Sequence, residues 1–272
     1  MAKLNFPKRI FTGQTSNMKL HFRKIGEGTP LMILHGLFGS SDNWQTLAKK
    51  FAENNFSVYL VDQRNHGRSP HADQFSYHNM SEDIFELIND AKIDVMNLIG
   101  HSMGGKTGMD LTMNHPGKII KLIVVDMSPK KYPLQNKEVA DALLEINLNE
   151  IKTRKDAEHA LAQKIKDAGT LQFLLKNLYW KENGILAWRF NLGTISENID
   201  KMSDAIDFIK PFEKPALFIR GEKSNYITKD DEPLIKKYFP HAEIKTAPQS
   251  GHWVHADNPE WFFENCLEFL KR

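Results

Sequence analysis

A hydroxyl becomes a nucleophile at neutral pH only when a base takes its proton, and the usual base is a histidine held by a carboxylate. The stretch LIGHSMGGKTGMD, residues 98–110, sets Ser102 among glycines directly after an apolar run, and Gly100-His101-Ser102-Met103-Gly104 fits G-x-S-x-G. That pattern describes a sharp strand-to-helix turn whose flanking positions, two before and two after the serine, admit only small residues. Taken alone it is weak, because a plain Gly/Ser turn carries the same letters. The partners elsewhere in the chain decide.

Where this turn serves acyl transfer, the acid and then the histidine follow the serine in the chain, so the base is expected after the last strand. Of the eleven histidines, His252 in APQSGHWVHADNPE holds that place; His255 lies nearer the next helix and reads as a flanking residue, and His101 adjoins the serine. The common seat of the acid is G-x-x-D after the penultimate strand, but IRGEKSNYI puts Ser224 there. Asp126, at the carboxyl end of IIKLIVVDMSP, is one strand away. Adjacent parallel strands lie about 4.8 Å apart, so residues at their carboxyl ends can converge on one imidazole. Asp126 is therefore assigned as the acid, with Glu222 and Asp230 as alternatives. A carboxylate capping the next turn would read the same way.

An oxyanion needs two N–H donors: one from Met103, after the nucleophile, and one from Leu37 or Phe38 in LHGLFGSSDNW. The segment VDQRNHGRS, with Asp62, Arg64, His66, Gly67 and Ser69, reads as a loop-fixing network outside the catalytic set.

These residues need a frame. TPLMILHG, FSVYLVDQ, VMNLIGHS and IIKLIVVDMS are continuous apolar runs, as expected of strands buried on both faces of a parallel sheet. Between them SSDNWQTLAKKFAEN, SYHNMSEDIFELINDA and KTGMDLTMNHPG have helical spacing, the last stopping at Pro116-Gly117. The alternation predicts a doubly wound α/β sheet. From 129 to 207 no strand-like run is expected, while EVADALLEI, KDAEHALAQKIKDA, TLQFLLKNLYW and ENIDKMSDAIDFI read helical. Strand signals resume at KPALFIRGE and AEIKTAPQS, and NPEWFFENCLEFL closes the chain as a helix capped by Asn258 with Pro259 at its first position. The expected division is a core of 1–128 and 208–272 interrupted by a helical cap, 129–207.

Composition fits one large globular unit: 41% hydrophobic and 26% charged residues, with a net charge of +2. No run of like charge suggests nucleic acid, and no stretch approaches the roughly eighteen apolar residues of a membrane span. MAKLNFPKRIF has no signal-peptide pattern, so a cytoplasmic location is the default expectation. Cys266 is the only cysteine and shares a helical stripe with Phe262, Phe269 and Leu270, which marks it as a core thiol.

Together HGLFGSSDNW, DQRNHGRSP, GHSMGGKT, VVDMSP and SGHWVHADNPEWF resemble the α/β-hydrolase superfamily, in particular the small esterases of the YbfF type and their mitochondrial abhydrolase relatives. The resemblance runs from Phe11 to Leu270 and includes the cap run FLLKNLYWKENGILAWRFNL; Asn65 departs from the usual glycine. It implies an α/β-hydrolase fold, a mostly parallel doubly wound sheet with an inserted helical cap. It also implies a triad of Ser102, Asp126 and His252 with Leu37 and Met103 as oxyanion donors. The implied reaction is hydrolysis of acyl esters, with thioesters within the same chemistry, and it needs neither metal nor organic cofactor. Expected substrate contacts are His35, Phe38 and His101 around the serine, and Phe173, Trp180 and Trp188 from the cap. A carbon–carbon bond hydrolase of the same fold and a non-catalytic ligand binder are the alternatives, and exposed cap surface leaves room for a homodimer.

Overall fold

The computed structural model describes residues 18–133, 136–182 and 184–272. The readings made on MAKLNFPKRIF and on Phe11 therefore lie outside the described residues. The first half runs β1 (Phe22–Ile25), β2 (Thr29–Leu34), α1 (Gln45–Ala52), β3 (Phe56–Val61), α2 (Tyr77–Asp90), β4 (Met96–His101), α3 (Met103–Asn114) and β5 (Ile119–Val125). A long insertion follows with α4 (Lys137–Leu144), α5 (Arg154–Ala162), α6 (Ala168–Leu175), β6 (Leu178–Trp180), β7 (Leu186–Trp188) and α7 (Leu192–Glu197). The chain ends in β8 (Ala216–Gly221), α8 (Glu232–Tyr238), β9 (Ala242–Ala247), α9 (Val254–Asp257) and α10 (Pro259–Lys271).

Seven strands form one sheet in the order β1-β3-β2-β4-β5-β8-β9, parallel except for the β1–β3 pair. Strand residues alternate between two apolar clusters, one on each face. Met32, Leu34, Leu98, Leu122, Val124 and Phe218 pack on the side of α2, α3 and α8. Leu31, Ile33, Ile99, Ile123, Val125 and Ile219 pack on the side of α1 and α10. Each such buried aliphatic side chain contributes roughly 1.5–3 kcal/mol, so sequences apolar at every strand position settle in the middle of the sheet. Cys266 is fully buried with Phe262 and Phe269 in the second cluster. The order of connections reverses between β2 and β4, and in such sheets the crevice at the carboxyl ends beside the reversal is where ligands bind.

The structure departs from the sequence reading at three places. β1, an antiparallel edge strand with alternating exposed and half-buried residues, is too short and too charged to register as an apolar run. LYW and LAW, read as part of a helical cap, pair instead as the two-stranded β6–β7 hairpin; three residues per strand leave no period to detect. ENIDKMSDAIDFI carries helix only to Glu197 and then a single 3-10 turn, Lys201–Ser203. There tertiary bonds win over local spacing: the Tyr77 hydroxyl donates to Met202 O (2.6 Å), the Tyr132 N–H to Ser203 O (2.8 Å), and the Lys106 ammonium to Asp204 O.

Candidate active site

Ser102 sits between β4 and α3 at φ 52°, ψ −114°, a left-handed backbone that costs a non-glycine residue about 1–3 kcal/mol. The crowding around it explains the glycines. A Cβ on Gly100 would lie 2.3 Å from Gly104 O, and one on Gly104 would lie 2.5 Å from Leu34 O. The Ser102 N–H donates to Val125 O (3.0 Å), tying the turn to the end of β5.

His252 lies between β9 and α9, and its Nδ1–H donates to Asp126 Oδ2 at 2.8 Å. Asp126 follows β5 directly, is fully buried, and has its own positive φ of 48°. Its carboxylate accepts two further bonds, from the Gly221 N–H (3.1 Å) and from the Ser224 hydroxyl. The serine in the common seat of the acid thus holds the carboxylate that stands one strand inward. The two alternatives lie elsewhere: Glu222 accepts the Gln249 N–H (2.7 Å), and Asp230 is exposed ahead of α8.

His101 is buried behind His252. Its Nε2–H donates to the His252 carbonyl (2.9 Å), and burial, reinforced by His255 and His252, holds its pKa well below the usual imidazole range. His255 stacks on Trp44 with ring centroids 4.0 Å apart, and burial pushes its pKa down to about 3. Neither imidazole carries charge at neutral pH.

Ser102 and His252 line one cavity of about 270 Å³, together with the Gly36–Phe38 loop, His101, Tyr226 and Trp253 from the core side. Asn136, Val139, Thr170, Phe173 and Leu174 close it from the insertion. No Lys, Arg, Asp or Glu is among these lining residues, so the walls favour an uncharged ligand. Leu37 lines the cavity and Met103 opens α3; neither N–H has a hydrogen-bond partner among the described residues, whereas the Phe38 N–H is taken by His66 Nε2 (3.2 Å). That leaves Leu37, of the two loop residues, with a donor to offer.

Of the six expected substrate contacts, Phe38, His101 and Phe173 reach this cavity. His35, Trp180 and Trp188 do not. His35 is buried at the base of the loop, where its Nδ1–H donates to Gly36 O (2.8 Å) and its Nε2 accepts the Gln63 N–H (3.0 Å). Trp180 is 45% exposed on β6, and Trp188 stacks on Phe190 (5.3 Å between centroids) inside the insertion. Sequence reasoning missed Tyr226, whose ring lies parallel to the His252 imidazole at 3.8 Å, and it missed Trp253, visible only as the neighbour of the histidine. In VDQRNHGRS, Arg64 forms a buried ion pair with Asp83 (2.5 and 2.7 Å), and Asp62 accepts the Ser41 and Arg68 N–H groups (2.7 and 2.9 Å). Among the described residues no group of three or more His, Cys, Asp and Glu is placed to hold a metal ion, and no helix is long and apolar enough to cross a membrane.

Residues 29–164 match the sequence profile of the α/β hydrolase fold. An sn-1-specific diacylglycerol lipase, ABHD11 of Danio rerio, is 36% identical over 253 residues, which span 90% of this chain and 80% of that protein. Esterase YbfF of Escherichia coli K12 is 34% identical over 243 residues, 89% of this chain and 93% of that one. Among solved structures, a marine microorganism esterase superposes with a TM-score of 0.91 at 48% identity, covering 93% of this chain and 100% of that one.

Proposed function

This chain belongs to the α/β-hydrolase family and is a hydrolase of the esterase/lipase kind, and we propose that it is a serine carboxylesterase acting on uncharged esters with short acyl chains. Support comes first from the 2.8 Å contact between His252 Nδ1 and the buried Asp126, with Ser102 on its strained turn lining the same cavity as His252.

In this reaction Ser102 Oγ attacks the ester carbonyl while His252 Nε2 takes the hydroxyl proton. Asp126 accepts from Nδ1–H, which keeps the other nitrogen free to act as base and stabilises the imidazolium that forms. Negative charge gathers on the carbonyl oxygen, where the N–H groups of Leu37 and Met103 receive it; one such donor is worth roughly 3–4 kcal/mol. The imidazolium returns its proton to the departing alcohol, leaving the acyl group on Ser102. Water then attacks the acyl-enzyme with His252 as base, and the acid and free serine are regenerated.

The cavity supports a short acyl group. At about 270 Å³ it lies below the roughly 300–1,000 Å³ of pockets that enclose drug-sized ligands, and its apolar walls include Val139, Phe173 and Leu174. A short acyl chain fits within such a space, whereas the long chains of a diacylglycerol, the substrate that ABHD11's name gives, would extend beyond it. Hydrolysis of p-nitrophenyl esters from acetate to palmitate by the wild type and Ser102→Ala tests the proposal. Turnover is expected to peak at the short chains and to vanish in the variant. Full activity in Ser102→Ala would remove the nucleophile, and cleavage of a β-diketone without ester turnover would favour carbon–carbon bond hydrolysis.

A further inference from the structure

Phe38 is held in an unusual way. Its φ is +59°, a left-handed backbone at a bulky residue, in a turn closed by the Gly39 N–H donating to Gly36 O (2.9 Å). Such conformations persist only where the surroundings over-determine them. Here both polar groups of the Phe38 backbone are bonded to side chains from distant segments. The N–H donates to His66 Nε2 (3.2 Å), in the loop after β3, and the carbonyl accepts from Asn177 Nδ2 (2.7 Å), between α6 and β6.

Each partner is itself fixed. His66 is fully buried, and its Nδ1–H donates to Arg64 O (2.9 Å), so Nε2 is left as the acceptor the Phe38 N–H requires. Burial and the neighbouring His35 push its pKa down to about 3, so it stays a neutral acceptor across the physiological range. Asn177 is 3% exposed; its own N–H donates to Leu174 O (2.9 Å) and its carbonyl accepts the Arg189 N–H (2.9 Å). One clamp arm therefore belongs to the sheet and the other to the insertion that roofs the cavity.

We propose that His66 and Asn177 are positioning residues that hold the Leu37–Phe38 turn in its oxyanion-binding shape, so that seating the insertion on the core completes the oxyanion hole. This rests on Leu37 as an oxyanion donor. It gives the DQRNHGRS segment a part in the chemistry: through His66 it sets the geometry of the loop. Because the donors act on charge that develops only in the transition state, loosening either arm lowers kcat and leaves KM nearly unchanged.

The test uses Asn177→Asp, which keeps the size and loses the donor, Asn177→Leu, His66→Leu, and His66→Gln, which restores an acceptor. Each is assayed for kcat and KM on p-nitrophenyl butyrate, for inhibition by butylboronic acid, whose tetrahedral serine adduct needs the hole, and for thermal melting. Asn177→Asp, Asn177→Leu and His66→Leu are expected to lose roughly 10- to 100-fold in kcat, less than the 10²–10³ for outright removal of a donor, with boronate affinity falling in parallel and KM within about twofold. His66→Gln recovers most of the loss. Unchanged kcat and boronate affinity in the Asn177 variants would overturn the proposal, as would a rise in KM with boronate affinity intact. Ser102→Ala, run alongside, separates the two levels: if it retains activity the serine mechanism itself fails, whatever the clamp variants do. Should Asn177→Leu not fold, Asn177→Asp carries the same readouts.

Discussion

Asp126→Asn tests the seat of the acid. Asp126 is fully buried and accepts from three donors: His252 Nδ1–H at 2.8 Å, the Gly221 N–H at 3.1 Å and the Ser224 hydroxyl. An asparagine fills the same volume and keeps one oxygen, which can still receive the Gly221 N–H. Its amide nitrogen then faces His252 and Ser224 with donors only. The imidazole must turn to the tautomer with Nδ1 unprotonated and Nε2 protonated, and a protonated Nε2 cannot take the Ser102 proton. The same change in another Ser-His-Asp enzyme lowers kcat about 10⁴-fold, equivalent to roughly 5 kcal/mol of transition-state stabilisation. Measured on p-nitrophenyl butyrate, with circular dichroism to verify folding, Asp126→Asn is expected to show a loss of that order in kcat. Adding Ser224→Asp should recover part of it, because Ser224 already touches the oxygen that binds His252. A folded Asp126→Asn within about tenfold of the wild type would refute the assignment.

Two further outcomes follow from packing and burial. Gly104→Ala would drive a Cβ to 2.5 Å from Leu34 O and 2.7 Å from His35 O, so it should lower stability by about 3 kcal/mol and abolish turnover, whereas Gly117→Ala, with nothing within 4 Å, should do neither. Lys106, on α3, is buried beneath the insertion between the rings of Tyr77 and Tyr132, and burial lowers its pKa from 10.5 to about 7 against the opposing pull of Asp204. Between those values the unfolded chain binds the proton and the folded one does not, so stability should climb with pH from about 7 upward, by as much as roughly 1.4 kcal/mol per pH unit. Urea melts of wild type and Lys106→Met at pH 6.5 and 9 test this; the variant should lose the slope, and parallel curves would refute it.

The elements that hold Ser102 were legible because their signals are local: a continuous apolar run, a turn that admits only small residues, then helical spacing. Asp126 was legible as a candidate because Ser224 stands in the common seat of the acid; the bond that Ser224 makes to it was not legible. The cavity walls were legible only in part, in Leu37, Phe38, His101 and Phe173 but not in Tyr226 or Trp253. Asn177 meets Phe38 across 139 residues of chain, and Tyr226, in the turn after β8, meets His252, in the loop after β9. Residue type carries no direction: Trp180 and Trp188 are as aromatic as Phe173, yet the short β6–β7 hairpin turns one to solvent and the other against Phe190. His35 looked chemical beside the glycines, but its two ring nitrogens are spent on backbone groups.

The displaced carboxylate has an effect on what mutation can change in such a protein. With Ser102 after β4 and Asp126 after β5, the proposed nucleophile and acid stand on two adjoining central strands, most of whose residues are buried. The turn after β8 touches this group through two side chains, the Ser224 hydroxyl on Asp126 and the Tyr226 ring on His252, and Tyr226 also forms part of the cavity wall. In the proposed reaction, mutation at Tyr226 reshapes the space beside Ser102 while the carboxylate keeps its seat on another strand. An acid in the common seat would make that loop part of the proposed proton relay, whereas here the loop bears on the relay only as a neighbour of the acid and the base.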